Sequence, residues 1–276
     1  MTNGQKNDKS TRTFEHSDIP WSLGLGHSSL KTRARCFIPP SDWTRADVFL
    51  GEEESHHLLH VLRAKAGQRI EVFNGEGGTG LAAVETAGRG GISVRILERS
   101  EHARPSVRLA LIQALPREQK MDLIIQKATE LGAAEIIPVL TEHAVVQLKE
   151  GRGEGKRDRW EKIALNAAKQ CGAAWLPNIA PVQSLAALLS AHRGFDALLV
   201  CALDEKTQPI RDAIQSIKAR PLSSVGVMVG PEGDFSPAEM KLIRNAGAIP
   251  VSLGGTVLRS ETAAIYALSI LRYELL

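Results

Sequence analysis

Val225-Gly-Val-Met-Val-Gly-Pro-Glu-Gly233 is an apolar run that ends in a tight glycine turn. The run is too short for a stable helix and is bounded by turn residues, so it reads as a buried strand. Gly230 and Gly233 allow the backbone to approach a ligand closely. A second short strand, Ile249–Ser252, leads into Leu253-Gly-Gly-Thr-Val-Leu-Arg-Ser-Glu-Thr-Ala263. There Gly254 and Gly255 let the chain bend. Ser260 and Glu261 are placed to cap and polarise the start of the last helix. Arg259 sets a fixed positive charge at that helix mouth, where an anionic or electron-rich group could sit. Two glycine turns, each at the end of an apolar strand, point to a ligand site.

Outward from these turns the rhythm alternates. Val107–Leu115, Glu135–Leu140, Ala197–Cys201, Val225–Val229 and Ile249–Ser252 read as strands. Met121–Leu131, Arg157–Gln170, Leu185–Ala191, Pro209–Ala219, Pro237–Asn245 and Thr262–Leu275 read as helices, the first stopped by Gly132. Apolar strands alternating with helices predict an α/β fold with a parallel sheet covered on both faces. Ligands collect at the carboxyl ends of such strands. Ala202-Leu203-Asp204 is then a third loop of the same site.

The N-terminal part is different. Cys36–Ile38, Arg69–Phe73, Leu81–Thr86 and Ile92–Glu98 are short strand signals around one helix, Glu52–Ala64. Residues 33–104 therefore read as a small β-rich, barrel-like domain, and residues 105–276 as the α/β domain. Residues 1–32 are polar and read as a disordered extension. Lys149–Arg159 is charged and glycine-containing and reads as a mobile loop or a nucleic-acid contact.

The bulk properties exclude more than they identify. A formal charge of +3 over 276 residues argues neither for nor against nucleic acid. Aromatics make up 4% of the chain, too few for a wide base-stacking platform. Cys36, Cys171 and Cys201 form no CxxC or disulfide framework, which fits a reducing compartment. No apolar run approaches a membrane span and no secretory leader is seen, so a cytoplasmic protein is expected.

Several motifs are weaker than they look. Gly75-Glu-Gly-Gly-Thr-Gly80 matches a dinucleotide fingerprint, but a strand and not a helix follows, so it reads as a hairpin loop. His56 and His60 share a helix face, yet no third ligand is suggested and no metal is expected. Arg33 and Arg35 are surface arginines or phosphate contacts. Lys120, Lys127 and Glu130 form either a cationic rim for phosphate or a solvated ion pair. Asn166 and Gln170, at i and i+4, can read a base edge, bridge to another subunit, or simply pack.

Together, Arg33-Ala-Arg-Cys-Phe-Ile38, Pro116-Arg-Glu-Gln-Lys-Met-Asp122, Gln126-Lys-Ala-Thr-Glu-Leu-Gly132, Val229-Gly-Pro-Glu-Gly-Asp-Phe-Ser236 and Leu253–Ala263 resemble the bacterial 16S ribosomal RNA uridine-N3 methyltransferases of the SPOUT superfamily. The resemblance implies a PUA-like β-barrel that binds RNA. It also implies a SPOUT α/β domain with a deep trefoil knot, a homodimer, and S-adenosylmethionine held in the knot. Leu203, Gly230, Pro231, Glu232, Gly233, Leu253, Gly255, Val257 and Leu258 would surround the cofactor. Arg259 and Glu261 would be catalytic, and Arg33, Arg35, Lys120, Lys127, Asn166 and Gln170 would contact RNA. One departure lies in the first turn, where Asp234 stands in place of a second glycine.

The implied reaction is methylation of uridine N3 in RNA of the small ribosomal subunit. Uracil N3 is a poor nucleophile while protonated, so that proton has to be removed or shared, and a carboxylate, Glu261 or Glu232, could accept it. Arg259 would stabilise the developing charge. Two other readings are a SPOUT enzyme for another RNA position and a non-catalytic RNA-binding assembly factor.

Overall fold

The computed structural model describes residues 34–88, 90–117, 120–144, 152–191, 194–204 and 206–276. Arg33, expected as a phosphate contact, lies outside them, as do the extension 1–32 and residues 145–151.

The chain opens with β1 (Arg35–Phe37), β2 (Asp47–Phe49) and a short helix, α1 (Glu52–His56), which continues as a π-helical turn through Val61. Strands β3 (Arg69–Phe73), β4 (Gly78–Gly88) and β5 (Gly91–Glu101) follow. They form a five-stranded sheet in the order β1-β3-β4-β5-β2. The pairing is antiparallel except for β1 with β3. Two register shifts in the β4–β5 ladder mark bulges, which increase local twist. Asn74–Gly77 is the turn from β3 to β4, and Gly78–Gly80 already belongs to β4, so the fingerprint-like glycines serve a hairpin. Inward-facing Ile70, Val72, Ala82, Val84, Ile92 and Val94 close a small core with Trp43 and Leu58.

The second sheet is built from β6 (Arg108–Ala114), α2 (Lys120–Glu130), β7 (Glu135–Leu140), α3 (Arg152–Cys171), β8 (Asn178–Ile179), β9 (Gln183–Ser184), α4 (Leu185–Ser190), β10 (Ala197–Cys201), β11 (Gln208–Pro209), α5 (Ile210–Ile217), β12 (Ser224–Val229), α6 (Pro237–Asn245), β13 (Ile249–Ser252) and α7 (Ser260–Leu275). The strand order is β11-β13-β10-β12-β6-β7-β8, with β9 also on β7, and every pairing is parallel. Leu109, Leu111, Ile136, Leu199, Val225 and Val227 point to one face, where Ile124, Ile125, Ile214, Ala264 and Leu268 from α2, α5 and α7 cover them. Ile112, Ile137, Val200 and Met228 point to the other, under Leu188, Met240 and Ile243 from α4 and α6. Burial on both faces accounts for the near-continuous apolar strands.

Helix α3 begins at Arg152, so the charged stretch expected as a loop is helical from there on. An Arg157–Glu161 pair at i, i+4 and an Arg159–Asp122 ion pair to α2 hold its charged first turns. The apolar anchor is further along, at Trp160, Ala164 and Ala168.

Arg35 joins the two sheets. Its guanidinium donates to the carbonyls of Ala168 (2.6 Å) and Ala173 (3.0 Å) at the end of α3, and it stacks over Phe73 at 4.2 Å. Two of its N–H groups are therefore held by backbone carbonyls. Nearby, the largely buried Glu54 pairs with Lys169. The Trp175 ring closes over Gly77, leaving no room there for a Cβ.

Candidate active site

Three loops leave the carboxyl ends of adjacent strands β13, β10 and β12. Together with the start of α7 they enclose a cavity of about 290 Å³. Leu203, Gly230, Pro231, Glu232, Leu253, Val257 and Leu258, all expected together, line it, and Arg259 stands at its edge. Asp234, Gly254 and Ser260 also line it. Leu203 and Val257 are 68% and 74% exposed, so both present apolar surface at the cavity.

Gly233 and Gly255 are not in the wall. Gly233 is turned against His143, where an added Cβ would lie 3.1 Å from the His143 Cβ. Of the paired glycines after β13, Gly254 carries the strained backbone, at φ 130°. Gly255 has open space around it and no positive φ.

The loops are cross-tied by side chains. Asp234, at φ 57°, accepts from the Phe235 N–H at 2.8 Å and the Leu203 N–H at 3.2 Å. It thereby clips the loop after β12 to the loop after β10. Short polar residues tolerate this left-handed backbone where larger ones do not. His143 reaches the carbonyls of Gly233 (2.9 Å) and Asp234 (3.0 Å) through Nδ1. Ser260 does not cap α7. Arg259 occupies the N-cap position, and the buried Ser260 hydroxyl donates to the Gly230 carbonyl at 2.6 Å while accepting from Gln113 Nε2 at 2.9 Å. By contrast, Ser236 caps α6 in a full capping box with Glu239.

A four-residue charge cluster sits at the rim. Lys120 Nζ lies 2.8 Å from Glu232 Oε1 and 3.6 Å from Glu261 Oε2. Both Glu232 oxygens also face the Arg117 backbone N–H at 3.2 Å. Partial burial works to raise the Glu232 carboxyl. The hydrogen bonds from Lys120, its own backbone and Arg117 outweigh that and hold it below the usual carboxylate range. The Glu232 hydrogen bond, opposed by desolvation, raises Lys120, while Arg259 acts on it as a like charge. Lys120, expected as a free phosphate contact, is thus committed to two carboxylates.

The remaining expected RNA contacts lie elsewhere. Lys127 pairs with Glu130 on α2 at 2.9 Å. Asn166 and Gln170 flank a shallow surface groove between α2 and α3 with Asp122 and Leu123. His56 and His60 stack at 4.5 Å between ring centroids. Among the described residues no group of three metal-ligating side chains converges, and no helix is long and apolar enough to cross a membrane.

Residues 103–272 match the RNA methyltransferase domain model, and residues 50–97 match the RNA methyltransferase PUA domain model. The chain belongs to the ribosomal RNA small subunit methyltransferase E family. Its Bacillus subtilis relative of that name is 32% identical over 225 residues, 80% of this chain and 88% of the relative. The Mycobacterium tuberculosis relative is 33% identical over 82% of this chain and 86% of its own length. A Legionella pneumophila methyltransferase with bound S-adenosylmethionine superimposes with a TM-score of 0.78 at 30% identity, covering 87% of this chain and 97% of its own. A Neisseria gonorrhoeae family member bound to S-adenosylmethionine gives 0.78 at 25% identity over the same shares. The family membership makes the chain an RNA methyltransferase with a PUA domain beside a parallel-sheet α/β fold.

Proposed function

We propose that this protein transfers the methyl group of S-adenosylmethionine to N3 of a uridine in small-subunit ribosomal RNA. The observation that carries the reading is the cavity at the ends of β10, β12 and β13, with Glu232 and Arg259 in its lining and Glu261 linked to Glu232 through Lys120, in a chain of this family.

The cavity suits the cofactor chemically. Leu203, Val257 and Leu258 offer apolar surface for an adenine ring. Glu232 and Asp234 offer carboxylates to a ligand with a cationic sulfur and an ammonium group. Backbone brought close at Gly230 and Gly254 offers amides and carbonyls. When bound, the cofactor supplies an electrophilic methyl group on a positively charged sulfur.

The residues of this chain would do the rest. The three loops would fix the methyl in line with N3, and positioning of that kind supplies much of the rate. Arg259 is exposed at the rim, and its guanidinium has no hydrogen bond or ion pair among the described residues. It is free to stabilise negative charge on the uracil oxygens. A carboxylate, Glu261 or Glu232, would take the N3 proton. The base would be unpaired or flipped out to reach the rim.

The same reading assigns residues 33–104 to a PUA-like barrel that holds RNA, and residues 105–276 to the transferase domain. It includes a homodimer, a cytoplasmic location, and a trefoil knot. Supporting the knot, the Leu253–Arg259 passage runs beside the Gly230–Asp234 loop, and α7 then packs back across β6 and β12. Leu203, Gly230, Pro231, Glu232, Leu253, Val257 and Leu258 would contact the cofactor. Gly233 and Gly255 would shape its loops, and Lys127, Asn166 and Gln170 would meet RNA.

Two measurements test this. Calorimetry should show one S-adenosylmethionine per chain. Mass spectrometry of ribosomal RNA from a strain lacking the gene should lose a methyluridine that returns on complementation. An unchanged uridine profile would refute the uridine-N3 assignment.

A further inference from the structure

We propose that Glu261 takes the N3 proton, that Glu232 does not, and that Lys120 is the positioning residue that creates this division. The inference rests on the uridine-N3 reading and decides what that reading leaves open.

The two carboxylates are not equivalent. Glu232 is already engaged: Lys120 donates to one oxygen at 2.8 Å, and the Arg117 N–H faces both at 3.2 Å. Hydrogen bonds to the charged form make a carboxylate a weaker proton acceptor than one without them. Among the described residues no hydrogen bond reaches the Glu261 carboxylate. Its Oε2 is buried without a hydrogen-bond partner and faces Lys120 at 3.6 Å, an ion-pair distance. Its side chain is 14% exposed. A carboxylate with one oxygen buried and unbonded is costly, and a partner supplied by a ligand would offset that cost.

Two positive groups face Glu261. The Lys120 ammonium neutralises its buried side, and the first turn of α7 presents the positive end of the helix. Its second oxygen has no protein partner among the described residues, and an N–H donor such as uracil N3 would give it one. Adjacent Arg259 would sit over the uracil oxygens.

Lys120 makes the division by geometry. It stands on α2, within reach of both the cavity-lining Glu232 and Glu261 behind the rim. One ammonium serves two carboxylates, but it bonds only the first. Glu232 is thereby fixed as part of the cofactor wall, and Glu261 is oriented but left unbonded.

The step balances. The N3–H bond breaks, its electrons stay on uracil, and the proton goes to a Glu261 oxygen. The N3 lone pair bonds the methyl carbon as the carbon–sulfur pair remains on sulfur, leaving a neutral thioether. Glu261 then returns its proton to water.

The test uses full-length protein and two matched RNAs, one with uridine at the target and one with 5-fluorouridine, whose N3 proton is more acidic. On uridine RNA, Glu261→Gln should lose about 10²–10⁴-fold in kcat, the range for a general base. Its cofactor affinity by calorimetry should stay within about threefold, since uniform binding is not what it supplies. On 5-fluorouridine RNA much of that loss should be recovered. Glu232→Gln should weaken cofactor binding and gain nothing from fluorination. Lys120→Met should lower kcat more than cofactor affinity, with partial rescue by Lys120→Arg. Thermal melts on each variant keep misfolding separate, and Lys120→Arg preserves the charge should Lys120→Met fail to fold. The inference fails if Glu232→Gln, and not Glu261→Gln, shows the loss relieved by fluorination. It also fails if the Glu261→Gln loss is the same on both RNAs. Wild-type protein that methylates neither RNA at N3 would instead overturn the functional reading itself.

Discussion

Ser260 and Gly230, thirty residues apart, are joined by a 2.6 Å hydrogen bond from the Ser260 hydroxyl to the Gly230 carbonyl. That bond fastens the start of α7 to the turn after β12. The fully buried Gln113 amide completes the contact by donating to the Ser260 hydroxyl. Ser260→Ala would leave a buried carbonyl and one amide N–H without partners. The expected cost is about 1–3 kcal/mol, the penalty for buried unsatisfied groups. Urea unfolding would measure it, and cofactor affinity should fall in parallel because both loops line the cavity.

His143 should make the loop after β12 sensitive to pH. Hydrogen bonds to the carbonyls of Asp234 and Gly233 raise its ring above the ordinary histidine value. A raised value means that the folded state favours the cation. The contribution is complete below about pH 6.5, the unfolded value, and fades as pH rises through the raised one. The melting-temperature gap between wild type and His143→Ala should therefore be wider near pH 5.5 than near pH 9. A gap that widens with pH would contradict the assignment.

Arg35 should prove to be a structural residue. Arg35→Ala removes two guanidinium bonds to the end of α3, each worth about 1.5–3 kcal/mol when charged. The melting temperature should drop. The salt dependence of RNA binding should keep its slope, because no phosphate contact is lost. A slope shallower by about one ion would return Arg35 to the RNA interface.

Arg259 should behave in the opposite way. Its guanidinium is exposed and unpaired among the described residues, so Arg259→Ala should barely change stability. Turnover should fall by about 10²–10³-fold, the scale for removing a charge-stabilising donor. Cofactor affinity should change far less, and equal losses in both would make Arg259 a cofactor-binding residue.

The apolar strands were legible because both faces of the sheet are buried. Glu135–Leu140, Ala197–Cys201 and Ile249–Ser252 therefore end where their runs end. Two-residue strands such as β8 and β11 carry no periodicity and left no trace. The first turns of α3 looked like a loop because their partners, such as Asp122 for Arg159, lie on another helix. The cavity loops were legible as glycine turns after strands. Their fastenings were not. Ser260 has the spacing of a cap, and only Gln113, 147 residues away, reveals its other use. Lys120 reads as a rim cation until Glu232 and Glu261 are brought to it.

The cavity draws one wall from the segment Val251–Ala263, which is translated after every other strand of the sheet. A chain halted before that segment lacks this wall of the cavity and also α7, which covers one face of β6 and β12. Cofactor capture is therefore a late event in biogenesis.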